Sequence, residues 1–151
     1  MKKHHMLCAA FVLSLLVAGV SLLGQMHRPY RNGSVWDLEF IQVKPGMDPA
    51  YLGWIASDWK KQQEALKAQG VILSYKVLQT EGHTPADWNL ILMTEFKDLT
   101  SLEANEAKAD AVAQQVSGDE EKQMEGYKQR AAVREVVGSR LAREIILEPR
   151  Q

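Results

Sequence analysis

From Val35 to Val43 the chain alternates Trp36, Leu38 and Phe40 against Asp37 and Glu39, a period of two that predicts a strand with its aromatic face toward a core. Lys44-Pro45-Gly46 ends it. Asp48-Pro49 then opens a helix, with an acid at the cap and proline in the first turn. Leu52, Ile55, Trp59, Gln63 and Leu66 recur at helical spacing, Lys60, Lys61, Glu64 and Lys67 point outward, and Gly70 is the C-terminal stop. Val71 to Thr80 predicts a second strand, Glu81 to Asp87 a loop by its glycine and proline, and Trp88 to Phe96 a third strand. Two capping boxes follow. Thr100-Ser-Leu-Glu103 starts a helix carrying Leu102, Ala109, Val112 and Val116, and Ser117-Gly-Asp-Glu120 starts one running through Met124, Tyr127 and Val133 to Gly138. Leu141 to Leu147 predicts the last strand, closed by Pro149.

The N-terminal pattern is of another kind. Lys2 and Lys3 precede Met6 to Leu23, a run of 18 residues without a charge and with only Ser14 and Ser21 as polar side chains. A basic start before an apolar run is what export machinery recognises, because the positive end stays on the cytoplasmic side. Small residues at Val17-Ala18-Gly19 and Gly19-Val20-Ser21 suit a cleaved signal peptide. As a retained anchor the run sits at the short end of the roughly 17 to 25 residues that span a bilayer. The expected organisation is residues 1–24 as signal peptide or anchor, 25–33 as a tether, 34–148 as one α+β domain and 149–151 as a tail. The domain is expected to be periplasmic or secreted, touching membrane only through residues 6–23 if these are retained.

Composition narrows the function classes. The whole chain has 18 basic against 19 acidic side chains, and loss of Lys2 and Lys3 leaves 16 against 19, a net charge of −3. Such a mildly acidic body offers no basic patch for a polyphosphate backbone, so no nucleic-acid partner is expected. Cys8 is the single cysteine and lies in the export segment, which leaves the domain without disulfide, thiolate nucleophile or cysteine metal site. The lack of a second histidine or patterned carboxylates in the domain disfavours a metal site.

The element order β, α, β, β, α with an extra helix, then β, resembles the ferredoxin-like dimeric α/β-barrel superfamily, which includes antibiotic-biosynthesis-type and haem-degrading mono-oxygenases and stress-response domains. The resemblance spans about Val35 to Leu147 and rests on element order and lengths, with no catalytic motif. It implies a βαββαβ core with an extra helix before the last strand, and a four-stranded antiparallel sheet with helices on one face. It also implies a second subunit on the other face, and a ligand pocket between sheet and helices or within the barrel.

Strand parity selects the candidate site. With Trp36, Leu38, Phe40, Ile55, Trp59, Leu66, Leu92 and Phe96 in the core, Asp37 and Glu39 fall on the opposite face beside Val35, Ile41 and Val43. Lys76, Asn89, Glu95 and Arg143 are expected to join them, in a set that would bind a polar small molecule, pair across two subunits or simply be solvated. His83, in a glycine- and proline-containing loop, is a candidate haem ligand or general base, and equally a surface residue. Tyr51 and Trp54, one turn apart, and Trp88 would line one mouth of a pocket, or lie in the core. The ligand-binding candidates are therefore Asp37, Glu39, Lys76, His83, Trp88, Asn89 and Arg143. No nucleophile elbow, phosphate loop or dinucleotide fingerprint is visible. The expected function is an exported homodimeric module that binds a small ligand or a partner. The alternative that the resemblance implies is a cofactor-free or haem-linked mono-oxygenase. No cofactor is expected, haem being the one that the resemblance admits.

Overall fold

The computed structural model describes residues 28–81, 84 and 87–148. The export segment and His83 lie outside the described residues. Residues 32–146 form one compact unit. Of the described residues, 28–31 and 147–148 belong to a second unit, in which the Glu148 N–H donates to the Pro29 carbonyl at 2.9 Å and Arg31 Nε lies 3.4 Å from Glu148 Oε1.

Strand β1 (Tyr30–Val43) leads into helix α1, which comprises Asp48–Trp54, a π-helical turn Ile55–Trp59, and Lys60–Ala68. Then come β2 (Ser74–Gln79), β3 (Leu90–Phe96), the short helix α2 (Leu99–Ala104), α3 (Glu106–Ser117), α4 (Glu120–Val133) and β4 (Arg134–Leu147). The sheet order is β2-β3-β1-β4. β1 and β2 both pair antiparallel with β3. Several boundaries differ from expectation: β2 starts at Ser74 and not Val71, β3 at Leu90 and not Trp88, and the helix expected from Thr100 is divided at Asn105 into α2 and α3. β1 begins at Tyr30, inside the expected tether, and α4 ends at Val133, so that Gly138 lies within β4.

The caps also sit elsewhere. Asp98 caps α2 by accepting from the Ser101 N–H at 2.6 Å, and Asp119 caps α4 by accepting from the Lys122 N–H at 3.0 Å. Thr100 and Ser117 are not the cap residues, because an aspartate three residues before a free N–H already satisfies it. Gly70 does end α1, with φ +68, a conformation that favours glycine.

The core lies between the sheet and the helices. One cluster joins Ile41, Val43, Leu90 and Leu92 of the sheet to Tyr51, Ile55 and Trp59 of α1. Another joins Leu66, Val71, Ile72 and Val112, with Phe96 packed against it. Tyr51 is fully buried and Leu52 is 38% exposed, so the inward line of α1 starts at Tyr51 and not at Leu52. In a regular α-helix, side chains four residues apart drift by about 40° per step. The wider π turn takes up that drift and keeps Tyr51, Ile55, Trp59 and Gln63 on one side.

The expected parity of β1 is reversed. The register sets Ile41 opposite Leu90, Glu39 opposite Leu92 and Val35 opposite Phe96, so the odd-numbered residues of β1 face the helices. Trp36, Leu38 and Phe40 point to the open face. For β2 and β3 the expectation holds, since Tyr75, Val77, Leu90, Leu92 and Phe96 share the helix side. Both sides of β1 are apolar, and alternation by itself does not choose between them. The helix layer supplies Arg130 and Arg134 over Glu39, and that makes the odd side tolerable.

Candidate functional site

Four side chains from distant parts of the chain stack beneath and beside α4. Tyr51 and Trp54, one turn apart on α1, lie ring on ring with centroids 5.5 Å apart and planes at 18°. The Arg134 guanidinium, from the first residue of β4, sits 5.7 Å from the Tyr51 ring centre, and Arg130, one turn earlier on α4, sits 4.8 Å from the Trp54 ring centre. Both arginines are thereby held by cation–π contact with aromatic rings that the core already fixes.

Charge in this group is met at a distance, without ion pairs among the described residues. Arg134 is only 9% exposed. The Tyr51 hydroxyl, Arg130 Nε and Arg134 Nε are buried without a hydrogen-bond partner among the described residues. Burial, joined by repulsion from Arg134, holds Arg130 below the ordinary arginine range. Burial pushes the Tyr51 hydroxyl up to about 12, against the pull of Arg134. Glu39 lies under the same group from β1, and burial raises its carboxyl above the ordinary glutamate range, opposed by Arg134 and Arg130 and assisted by Asp37. Asp37 is raised by burial as well, opposed by a hydrogen bond from the Leu38 backbone. Among the described residues neither arginine forms an ion pair.

Arg130 and Trp54 also line a half-open cleft of about 510 Å³ between α1 and α4, with Val116 and Ser117 of α3 in its lining. Ala50, Trp54, Asp58 and Gln62 form the α1 wall at steps of four residues, aligned by the π turn. Among the described residues no cluster of histidine, cysteine, aspartate and glutamate could hold a metal.

The expected site is thus divided. Asp37 and Glu39 face the helices, whereas Lys76 and Glu95 face the open side, where Lys76 Nζ lies 5.0 Å from the Trp36 ring centre and Glu95 accepts from the Ser74 hydroxyl. Asn89 is structural. Its Oδ1 accepts from the Val43 N–H at 2.9 Å, and its own N–H donates to the Ile41 carbonyl at 2.9 Å. Trp88 packs edge-on to Phe40 at 5.1 Å, away from Tyr51 and Trp54, and Arg143 is exposed on β4. Arg130 and Arg134 escaped sequence reasoning. Their i,i+4 spacing was visible, but its meaning depends on rings some eighty residues earlier.

A crystal structure of a dimeric ferredoxin-like protein from an uncultured marine organism matches 79% of this chain and 99% of its own, with a TM-score of 0.50 and 12% identity. The fold is ferredoxin-like. A NIPSNAP family protein of unknown function from Agrobacterium tumefaciens is also similar, covering 77% of this chain and 90% of its own at 14% identity and a TM-score of 0.47. So is a dimeric protein of unknown function from Bacteroides fragilis, covering 78% and 99% at 16% identity and a TM-score of 0.41. No family model matches the chain, and no curated protein matches it. At such identities the likeness concerns the fold alone.

Proposed function

We propose that this chain is an exported module that works as a homodimer, two open sheet faces packing against one another to enclose an α/β barrel that binds a small ligand or a partner. One observation carries the reading. On the side of the sheet away from the helices, the half-buried Trp36, Leu38, Phe40, Ile91 and Met93 adjoin Leu78, which is 45% exposed, in one contiguous apolar surface. A patch of that kind on a lone subunit marks an interaction site. A two-fold partner buries it against the same residues of its own sheet, with Lys76 and Glu95 at the margin. The marine structure that shares the fold is described as dimeric, which supports the same assembly here. The Lys2-Lys3 start and the apolar run from Met6 to Leu23 support export.

Ile91 lies between Phe40 and Leu78 in the register, at the centre of the patch. Light scattering should find the wild type dimeric and Ile91→Glu monomeric. A monomeric wild type, or a variant that dimerises as well as its parent, overturns the assembly. Mass spectrometry of the native N-terminus tests export separately, since a cytosolic soluble pool that keeps Met1 contradicts it.

A further inference from the structure

From the cleft between α1 and α4, we infer a binding site for a small carboxylate-bearing molecule, with the carboxylate taken by the Arg130 guanidinium. The inference concerns the helix layer and does not depend on the dimer. The cleft volume of about 510 Å³ falls within the roughly 300 to 1,000 Å³ typical of small-molecule pockets.

The α4 wall leaves room beside the Arg130 guanidinium. Lys122, Gly126 and Arg130 follow at steps of four residues, so a cation, a bare backbone and a second cation line one side of the cleft in succession. A β-carbon at Gly126 would lie 3.0 Å from Arg130 Nη1. Helical side chains lean toward the preceding turn, so Arg130 lies back over the space that the glycine leaves empty. Glycine within a helix is less favourable than alanine. What α4 obtains in exchange is a guanidinium braced between a helix backbone and the Trp54 ring.

The site is electrostatically incomplete. Asp58 is the one acidic side chain among the residues lining the cleft, against Arg130 and Lys122, and neither cation is in an ion pair among the described residues. Arg134, behind Arg130, adds a second positive charge, which Glu39 on β1 partly offsets. A guanidinium in this state offers the planar donor fork that matches a carboxylate. Gln62, Gln123 and Gln129 supply amide groups along the walls for the remainder of the molecule, and Ala50, Val116 and Val133 supply apolar surface.

Fluorine NMR of the full chain in detergent, with its tryptophans replaced biosynthetically by 5-fluorotryptophan, tests the inference. The Trp54 resonance is assigned by its loss in Trp54→Phe, and acetate, benzoate and adipate are titrated at constant ionic strength. The Trp54 signal should shift saturably with at least one of these probes, while those of Trp36 and Trp88 on the open face stay in place. Arg130→Gln should abolish the shift. Gly126→Ala should weaken binding about tenfold or more while the melting temperature holds or rises, a combination that damage to the fold would not produce. Ile91→Glu should bind as the wild type does, which separates this site from the assembly. No saturable Trp54 shift with any of the three probes overturns the inference, and so does one that survives unchanged in both Arg130→Gln and Gly126→Ala.

Discussion

Glu39 shows how a single residue can oppose the fold that contains it. Its carboxyl is raised above the ordinary value of 4.5 chiefly by burial, and the nearby arginines only partly offset this. The folded chain therefore holds that proton more tightly than the unfolded chain does. The corresponding stability is fully present below the ordinary glutamate range and is lost as the pH rises through that range to the raised value. Asp37 acts in the same direction from an ordinary value of 3.8. Thermal denaturation at a series of pH values should show Glu39→Gln melting higher than wild type at pH 7, with a flatter fall in stability above pH 4. Equal slopes in the two proteins would mean that the ionised carboxylate is solvated. Tyr51→Phe removes a buried hydroxyl whose polar contact with Arg134 falls outside hydrogen-bond geometry, so its melting temperature should match or exceed that of wild type.

Elements were legible where the signal was local. Gly70 stops α1 as its position predicts, because a positive φ is a property of the backbone at that one residue. The two capping boxes named the right turns and the wrong residues, since Asp98 and Asp119 each lie two residues from a threonine or serine that competes for the same role. Asp98→Ala should lower the melting temperature, and Thr100→Ala should leave it unchanged; the reverse result would restore the threonine as the cap. The inward line of α1 was read one residue out of phase at its start, at Leu52 in place of Tyr51. A π turn changes the helical period, and a strict 3.6-residue template cannot anticipate it. Because Tyr51 and Trp54 sit just before that turn, and Asp58 within it, its geometry sets both the stacked rings and the cleft wall.

At the scale of the molecule the two faces of β1 have different duties. Ile41 is completely buried in the helix-side core, so Ile41→Ala should cost about 2 to 5 kcal/mol in any assembly state. Phe40 lies on the open face, and Phe40→Ala should act chiefly on association. Melting of the wild type should shift upward with protein concentration if the open faces pair, whereas Ile91→Glu should melt at a temperature independent of concentration. A concentration-independent wild type would place the open face in water and remove the barrel.

Much of the chain could be read without its fold. The number and order of the strands, the stop at Gly70, and the inward sides of β2 and β3 follow from local periodicity and turn chemistry, since Tyr75 and Val77 contrast with Ser74 and Lys76 along β2; the division of the expected helix at Asn105 into α2 and α3 does not. β1 offered no such contrast. Trp36, Leu38 and Phe40 on one side and Val35, Ile41 and Val43 on the other are both apolar sets, and the acids between the latter looked like solvent-facing residues. Only the tertiary structure brought Arg130 and Arg134 over Glu39 and Tyr51, and so made the acidic side the buried one. The same convergence separated Asp37 and Glu39 from Lys76 and built the cleft at Arg130. Pattern within a segment reports how that segment would bury itself, but compensation for a buried charge comes from whichever part of the chain the fold brings above it.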